Sequence, residues 1–417
     1  MKVKFALIVS AVLLAGPVSF AHAQAVIAFS FICNGKTFGS CPQGRSPNSL
    51  IQASDGNFYG TAANSGDQSN GHVIFGGTVF SLTPAGKFKL LHTFTAGTNS
   101  KYTNGATPIS LTEGPDGKLY GLTSQGGNDF GGQFFGYGVV FRINKNGSGF
   151  QVIHRFCSTQ PYCIDGSYSA GPLLAGSDGN IYGVTNEGGG GSGCAAGGCG
   201  EIFRVTPSTA TYEAVLSFTS SDAGGFPVGM IAGPDGTFYG LTIEGNALFQ
   251  YTPATGAFQS TTLAFPVPAG CPGDACFATN AFAFGTNGDL YGFYTVYDEA
   301  GSGGLFDVQT DGTNLQLFSE FTTTLGPGVQ LLLGSDGNLW APQTTGSSKF
   351  GNILTLSPSD GTLIQTLSPF SSTVFAPVEI IEANDGKQWG VGSGGVVASG
   401  HFGGGTLFNV NAGLPKK

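Results

Sequence analysis

The chain of 417 residues is poor in charge and in imidazole: 10% of its residues are Asp, Glu, Lys or Arg, and it has 5 His, 2 Met and 2 Trp. Sixteen basic residues stand against 25 acidic ones, a formal charge of -9, or about -11 once Lys2 and Lys4 are set aside with the N-terminal segment. That balance excludes nucleic acid and anionic membrane surfaces as partners. So few histidines leave few general bases, and no GxSxG elbow, HExxH or phosphate loop is present. The Gly188–Gly191 run lacks the following helix and lysine that phosphate binding needs. After residue 23 no apolar run is long enough to cross a bilayer, and helical periodicity is absent.

What the chain has in quantity is glycine, 71 residues, and phenylalanine, 35, the composition of an all-β protein with many tight turns and aromatic strands. Lys2 and Lys4, the apolar run Phe5–Leu14 and Ala21-His22-Ala23 read as a secretory signal over residues 1–23, with cleavage before Gln24. The C-terminal Gly413–Lys417 carries no hydrophobic tail. A secreted or periplasmic location follows, and there the eight cysteines are expected as disulfides. They fall as four local couples, Cys33/Cys41, Cys157/Cys163, Cys194/Cys199 and Cys271/Cys276, each expected inside a single loop. Spacings of five to eight without accompanying His make a metal site the weaker reading. Neither metal nor cofactor is expected.

One stretch recurs seven times: SDGNFYG from Ser54, PDGKLYG from Pro115, SDGNIYG from Ser177, PDGTFYG from Pro234, TNGDLYG from Thr286, SDGNLWA from Ser335 and NDGKQWG from Asn384. Its turn residues lie at 55, 116, 178, 235, 287, 336 and 385, and the last spacings settle at 49. Asp-Gly between apolar runs predicts a hairpin with a type I′ turn. A third segment follows each turn, such as GTVFSLTPAG from Gly77 or GEIFRVTPST from Gly200, and then a strand ending in Phe. Four strands in about 49 residues is the period of a propeller blade. Residues 24–417 are therefore expected to form one domain, a seven-bladed β-propeller. The seventh unit stops after its third strand, and Ala25–Phe31 supplies the missing fourth from the other end, sealing the ring against an open edge.

The aromatics Tyr59, Tyr120, Tyr182, Tyr239, Tyr291, Trp340 and Trp389 are read as packing between blades, with the following Gly admitting the neighbouring sheet. Connections from strand two to three and from strand four to the next blade are long and share one face, the expected carrier of function. Five residues past the motif tyrosine come Asn64, Gln125, Glu187 and Glu244 in blades one to four. Four hydrogen-bonding side chains on one arc suit a sugar or other polar ligand, although polar residues also commonly begin exposed loops. His72 and His401 occupy matching loops of blades one and seven, either as solvated residues or as further ligand contacts.

The unit (G/S)xDGxLYGxTxxGG followed by GTxFxLTPxG resembles the Gloeobacter/Verrucomicrobia repeat family of secreted proteins, with departures at Asn287-Gly288, Trp340-Ala341 and Gln388-Trp389. The resemblance implies an extracellular propeller and supplies no catalytic residues. A weaker similarity is to the streptogramin lyases, through Asp336-Gly-Asn-Leu-Trp340. The expected function is a monomeric binding module for a carbohydrate or cell-surface component. The alternatives are a secreted lyase or hydrolase, and a structural envelope protein.

Overall fold

A computed structural model describes residues 25–33, 41–64, 75–95, 102–128, 136–159, 163–194, 197–220, 225–263, 265, 276–296, 303–321, 330–344, 350–367, 370–371, 375–394 and 403–411. Strands alone make up its regular structure, in seven four-stranded antiparallel sheets. Blade 1 is Arg45–Gln52, Phe58–Asn64, Phe75–Leu82 and Phe88–Thr93, and the next five repeat that order. Blade 7 has Phe375–Glu382, Gln388–Gly394 and Gly403–Val410 from the end of the chain, and Ala25–Ile32 as its outer strand. Ala25 pairs with Val410 and Ile32 with Gly403, so the ring closes as expected. Among the described residues no helix is long and apolar enough to cross a membrane. The expected leader, residues 1–23, lies outside what is described.

The motif hairpin differs from the expected turn. Gly56 N–H donates to Ala53 O at 2.9 Å and Ala53 N–H to Asn57 O at 2.9 Å, a three-residue loop in which Gly56 (φ 78°) is left-handed and Asp55 is not. This is a type I turn followed by a glycine bulge. Asp remains the favoured residue because its carboxylate accepts the N–H two residues on, 3.1 Å from Asn57.

The same carboxylate also explains the aromatic four residues later. Tyr59, Tyr120, Tyr182 and Tyr239 each donate their hydroxyl to the turn Asp of their own blade at 2.7–3.0 Å. Trp340 and Trp389 replace the hydroxyl by an indole N–H, which reaches Asp336 at 3.1 Å and Asp385 at 3.2 Å. In blade 5 the turn residue is Asn287, which instead donates to the Tyr291 hydroxyl at 2.9 Å and frees that hydroxyl to donate to Pro358 O of blade 6 at 2.7 Å. Burial pushes Asp178 up, but the hydrogen bonds from Asn180 and Tyr182 outweigh it and hold the carboxyl below its ordinary range.

The glycine after the aromatic serves its own blade, not the neighbouring sheet. It faces the phenylalanine of the third strand: Gly60 pairs with Phe80, Gly121 with Phe141, Gly183 with Phe203, Gly240 with Phe249, Gly292 with Phe306 and Gly390 with Phe408. A Cβ at Gly292 would stand 2.5 Å from Phe306 Cζ, inside van der Waals contact. Blade 6 changes both partners at once, pairing Ala341 with Leu354. Leu354→Phe alone is therefore expected to destabilise the fold by about 1–3 kcal/mol through overpacking, and Ala341→Gly should recover most of it. A double-mutant cycle on denaturant unfolding checks this, and strictly additive effects would sink the pairing.

Blades meet through a second aromatic column. The phenylalanine ending an outer strand packs edge-on against the third-strand phenylalanine of the next blade: Phe94 on Phe141, Phe156 on Phe203, Phe218 on Phe249, Phe265 on Phe306 and Phe370 on Phe408, with centroids 5.1–5.5 Å apart. Phe31 packs on Phe80 in the same way at 5.3 Å, so the seam between blades 7 and 1 is built like the others.

The inner strands surround the axis. The residue six positions before each turn Asp or Asn lines a central channel of about 490 Å³: Ser49, Ser110, Pro172, Gly229, Ala281, Gln330 and Glu379.

Candidate functional site

On the long-loop face the chain enters five of the inner strands through a sharp bend. Ser46, Thr107, Tyr168, Phe226 and Ala376 occupy this entry and are left-handed, with φ of 53–57°, although none is glycine. Four of them precede a proline: Pro47, Pro108, Pro227 and Pro377. A conformation that costs of order 1–3 kcal/mol at each residue persists only when its surroundings enforce it, and it concentrates at ligand clamps. Loops from two parts of the same blade do the enforcing here. Gly105 N–H and Gly127 N–H both donate to Tyr102 O, at 3.0 and 2.9 Å, and Gly166 and Gly189 do the same to Cys163 O at 2.9 and 3.0 Å. The approach is so close that a Cβ at Gly126 would lie 2.5 Å from Tyr102 O.

Disulfides stiffen this rim. Cys33–Cys41, Cys157–Cys163 and Cys194–Cys199 are bonded as the spacing predicts, and all three lie in long connections. They place the protein in an extracellular or periplasmic setting.

The fourth couple requires a correction. Cys276 does not lie in a loop, contrary to expectation: it opens the inner strand of blade 5, Cys276–Phe284, and pairs with Val296. Cys276 takes the usual opening place of an inner strand: Val296 lies nine residues after Asn287, as Asn64 lies after Asp55 and Glu187 after Asp178, and the aromatic Phe277 that follows favours a strand. Its expected partner, Cys271, lies outside the described residues, so a bond from Cys276 is not among the three disulfides described.

Three of the polar candidates stand beside the bend. Asn64 pairs with Arg45, Gln125 with Ala106 and Glu187 with Ser167, each the residue preceding a left-handed one. Gln125 Oε1 accepts the Thr107 hydroxyl at 3.2 Å. Glu244 falls two residues beyond its strand, in a shorter loop, and is exposed. Among the described residues no hydrogen bond joins these four to one another. His72 and His401 lie outside the described residues.

The left-handed bend contributes a residue that motif reading passed over. Tyr168 is 46% exposed and packs edge-on against Tyr137 from blade 2, with centroids 5.4 Å apart at 72°. Burial first, then the neighbouring Tyr137 and Glu187, raises the Tyr168 phenol above its ordinary pKa. The exposed Tyr168 on the half-buried Tyr137, an adjacent carboxylate and the amide of Gln125 thus share the rim of blades 2 and 3. The sequence signal was Tyr168-Ser169 where four other units have a residue followed by proline.

A second polar cluster lies between the same blades, beneath the rim. The Tyr212 hydroxyl donates to Glu201 Oε1, its ring stacks on His154 at 3.7 Å, and His154 Nε2 sits 3.1 Å from Asp165 Oδ2. Glu201 is fully buried and its Oε2 has no partner. Burial pushes its carboxyl up to about 7, offset in part by Tyr212, while the nearby Asp165 adds to the rise. His92, by contrast, is packed flat on Phe150 at 3.7 Å, and burial lowers it to about 4. Among the described residues no group of three or more His, Cys, Asp or Glu is placed to hold a metal ion.

Fold and rim together define a disulfide-braced, seven-bladed repeat propeller. The chain belongs to the Gloeobacter/Verrucomicrobia repeat family, whose model matches residues 46–267. A search of curated proteins returns no match. Solved propellers are similar in fold. An extracellular domain of a hybrid two-component system from B. thetaiotaomicron shares 13% identity at a TM-score of 0.57, over 95% of this chain and 44% of that one. YCF48, solved with the D1 peptide, shares 10% identity at 0.53, over 94% and 97%. A protein described as a 6-phosphogluconolactonase from Bacteroides fragilis shares 16% at 0.50, over 85% and 96%.

Proposed function

We propose that the protein is a secreted, monomeric binding module that takes a polar ligand, a neutral carbohydrate, on its long-loop face at the rim of blades 2 and 3. One observation carries this reading: Tyr168 is held exposed beside Tyr137 and Glu187 by a strained backbone that neighbouring loops enforce. A tyrosine ring stacks on the C–H face of a pyranose, while carboxylate and amide groups bond its hydroxyls. Holding the ring in place beforehand lowers the entropy lost on binding. Asn64 and Glu244 extend the arc into blades 1 and 4. YCF48 supplies an example of this architecture binding a peptide.

The test is a neutral-glycan array on the mature protein, followed by calorimetry with the best hit. Tyr168→Ala is expected to weaken that binding by about tenfold or more, roughly 1.4 kcal/mol, with melting unchanged. An array without hits, or a Tyr168→Ala affinity equal to the wild type, overturns the reading.

A further inference from the structure

Gln330 and Glu379 hold the same position in adjacent blades and do the same thing for the backbone. Gln330 Oε1 accepts the N–H of Ile380 at 2.9 Å, and Glu379 Oε2 accepts the N–H of Leu50 at 3.2 Å. Each caps a donor on the free edge of the next inner strand, where no sheet partner exists. A neutral amide does this work as well as a carboxyl does. What Glu379 adds is the capacity for charge. Among the described residues no cation of the protein uses it, since it is the sole ionisable side chain lining the channel.

Glu379 keeps part of its surface, and at its depth in the ring that surface opens on the channel. Burial, only partly offset by the Leu50 N–H, pushes its carboxyl up to about 8. The neighbouring arc is polar as well. Ser49 and Ser110 line it, and the Ser110 hydroxyl, in a residue only 5% exposed, has no protein partner. The volume of about 490 Å³ falls in the range of small-molecule sites.

We propose that the central channel binds a small organic monocation, a primary ammonium or guanidinium compound, with the Glu379 carboxylate as its anchor. One carboxylate matches one positive charge, and a dication would leave a charge buried and unpaired. The site is separate from the rim that Tyr168 marks. Charge balance gives it a signature: near neutral pH the free site holds a proton on Glu379, so entry of R–NH3+ expels H+ into solution, one proton for each cation bound.

The experiment is calorimetry of the mature protein with n-butylammonium and n-butylguanidinium at about pH 6.5, in two buffers of different ionisation heat, with n-butanol as the neutral control. Binding of at least one cation with release close to one proton is expected, and n-butanol should give no heat. Glu379→Gln, which retains the cap as Gln330 does, should keep its melting temperature, lose about tenfold or more in affinity and release no proton. Silence from both cations at millimolar concentration, or unchanged binding by Glu379→Gln, overturns the proposal. If that variant does not fold, the wild-type proton count decides: a value near zero overturns it. Tyr168→Ala should leave cation binding unchanged, so failure at the rim and failure in the channel are read separately.

Discussion

Removing Ala25–Ile32 is expected to abolish the cooperative fold. Phe31 is fully buried on Phe80, and truncating a core phenylalanine alone costs about 3–5 kcal/mol. The deletion also strips the strand Gly403–Val410 of its outer partner and leaves a row of unpaired N–H and C=O groups on an apolar sheet. Aggregation on size-exclusion chromatography and loss of a sharp melting transition are the expected readouts. Phe31→Ala serves as the graded control and should melt well below the wild type. A truncated protein that melts with the wild type would contradict the closure.

The second large effect is a fall in stability as pH rises. Glu201 carries an ordinary carboxyl in the unfolded chain, near 4.5, but its folded value is about 7. Between those values the folded protein holds a proton that the unfolded chain has released, so stability declines across that window and stays low above it. At 1.36 kcal/mol per unit the decline is about 3 kcal/mol from this residue. Of the groups facing it, the Tyr212 hydroxyl offsets part of that cost by its hydrogen bond, while Asp165, itself acidic, adds to it. Glu379 acts in the same direction over a wider window, from the same ordinary value up to about 8. On the acid side the turn carboxyls Asp55, Asp116, Asp178 and Asp235 lie below their ordinary value, because hydrogen bonds overcome the effect of burial, so stability is lost as they protonate. Maximum stability is therefore expected near pH 4.5–5. Glu201→Gln mimics the protonated acid and should remove Glu201's share of the loss between pH 5 and 8, leaving that of Glu379. Urea titrations across that range decide it, and a variant that declines as steeply as the wild type would exclude Glu201 as the cause.

The propeller was legible because the turn motif, the third-strand segment and the terminal phenylalanine recur in register, and each was right for a local reason. Turn type was not legible, since Asp-Gly serves a two-residue turn and a three-residue turn with a bulge alike, and only φ at Asp55 separates them. The role of the glycine after the aromatic was misread because its clash is with a residue about twenty positions on, Phe80 for Gly60, and the pairing register is needed to see it. The exchange of Gly and Phe for Ala341 and Leu354 in blade 6 was the available clue. Cys276 was misplaced in a loop because its couple was read by spacing alone, while the apolar residues after it already favoured a strand.

The three carboxyl and phenol groups that matter most, Glu201, Glu379 and Tyr168, are not among the residues that recur from unit to unit. Each is an exception inside a repeat: Glu201 stands where Thr78 and Thr406 stand in blades 1 and 7, and Glu379 lies between Val378 and Ile380 in a strand that is apolar up to its last residue, Glu382, but for Glu379. Comparing each unit against the others finds such exceptions. Only burial and the ring geometry say what they do.

Pairing Ala25 with Val410 makes nearly the whole chain one loop. The entropy of closing it grows only with the logarithm of its length, so equilibrium stability suffers little, but folding time responds to sequence separation. The propeller's first strand is thus held without its partner until the propeller's last strand has emerged. Six blades can form by local hairpins while the seventh waits, and refolding is expected to show an early phase of sheet formation and a slower one that seals the ring. During that interval the molecule is an arc with two sticky ends, and intermolecular closure competes with its own.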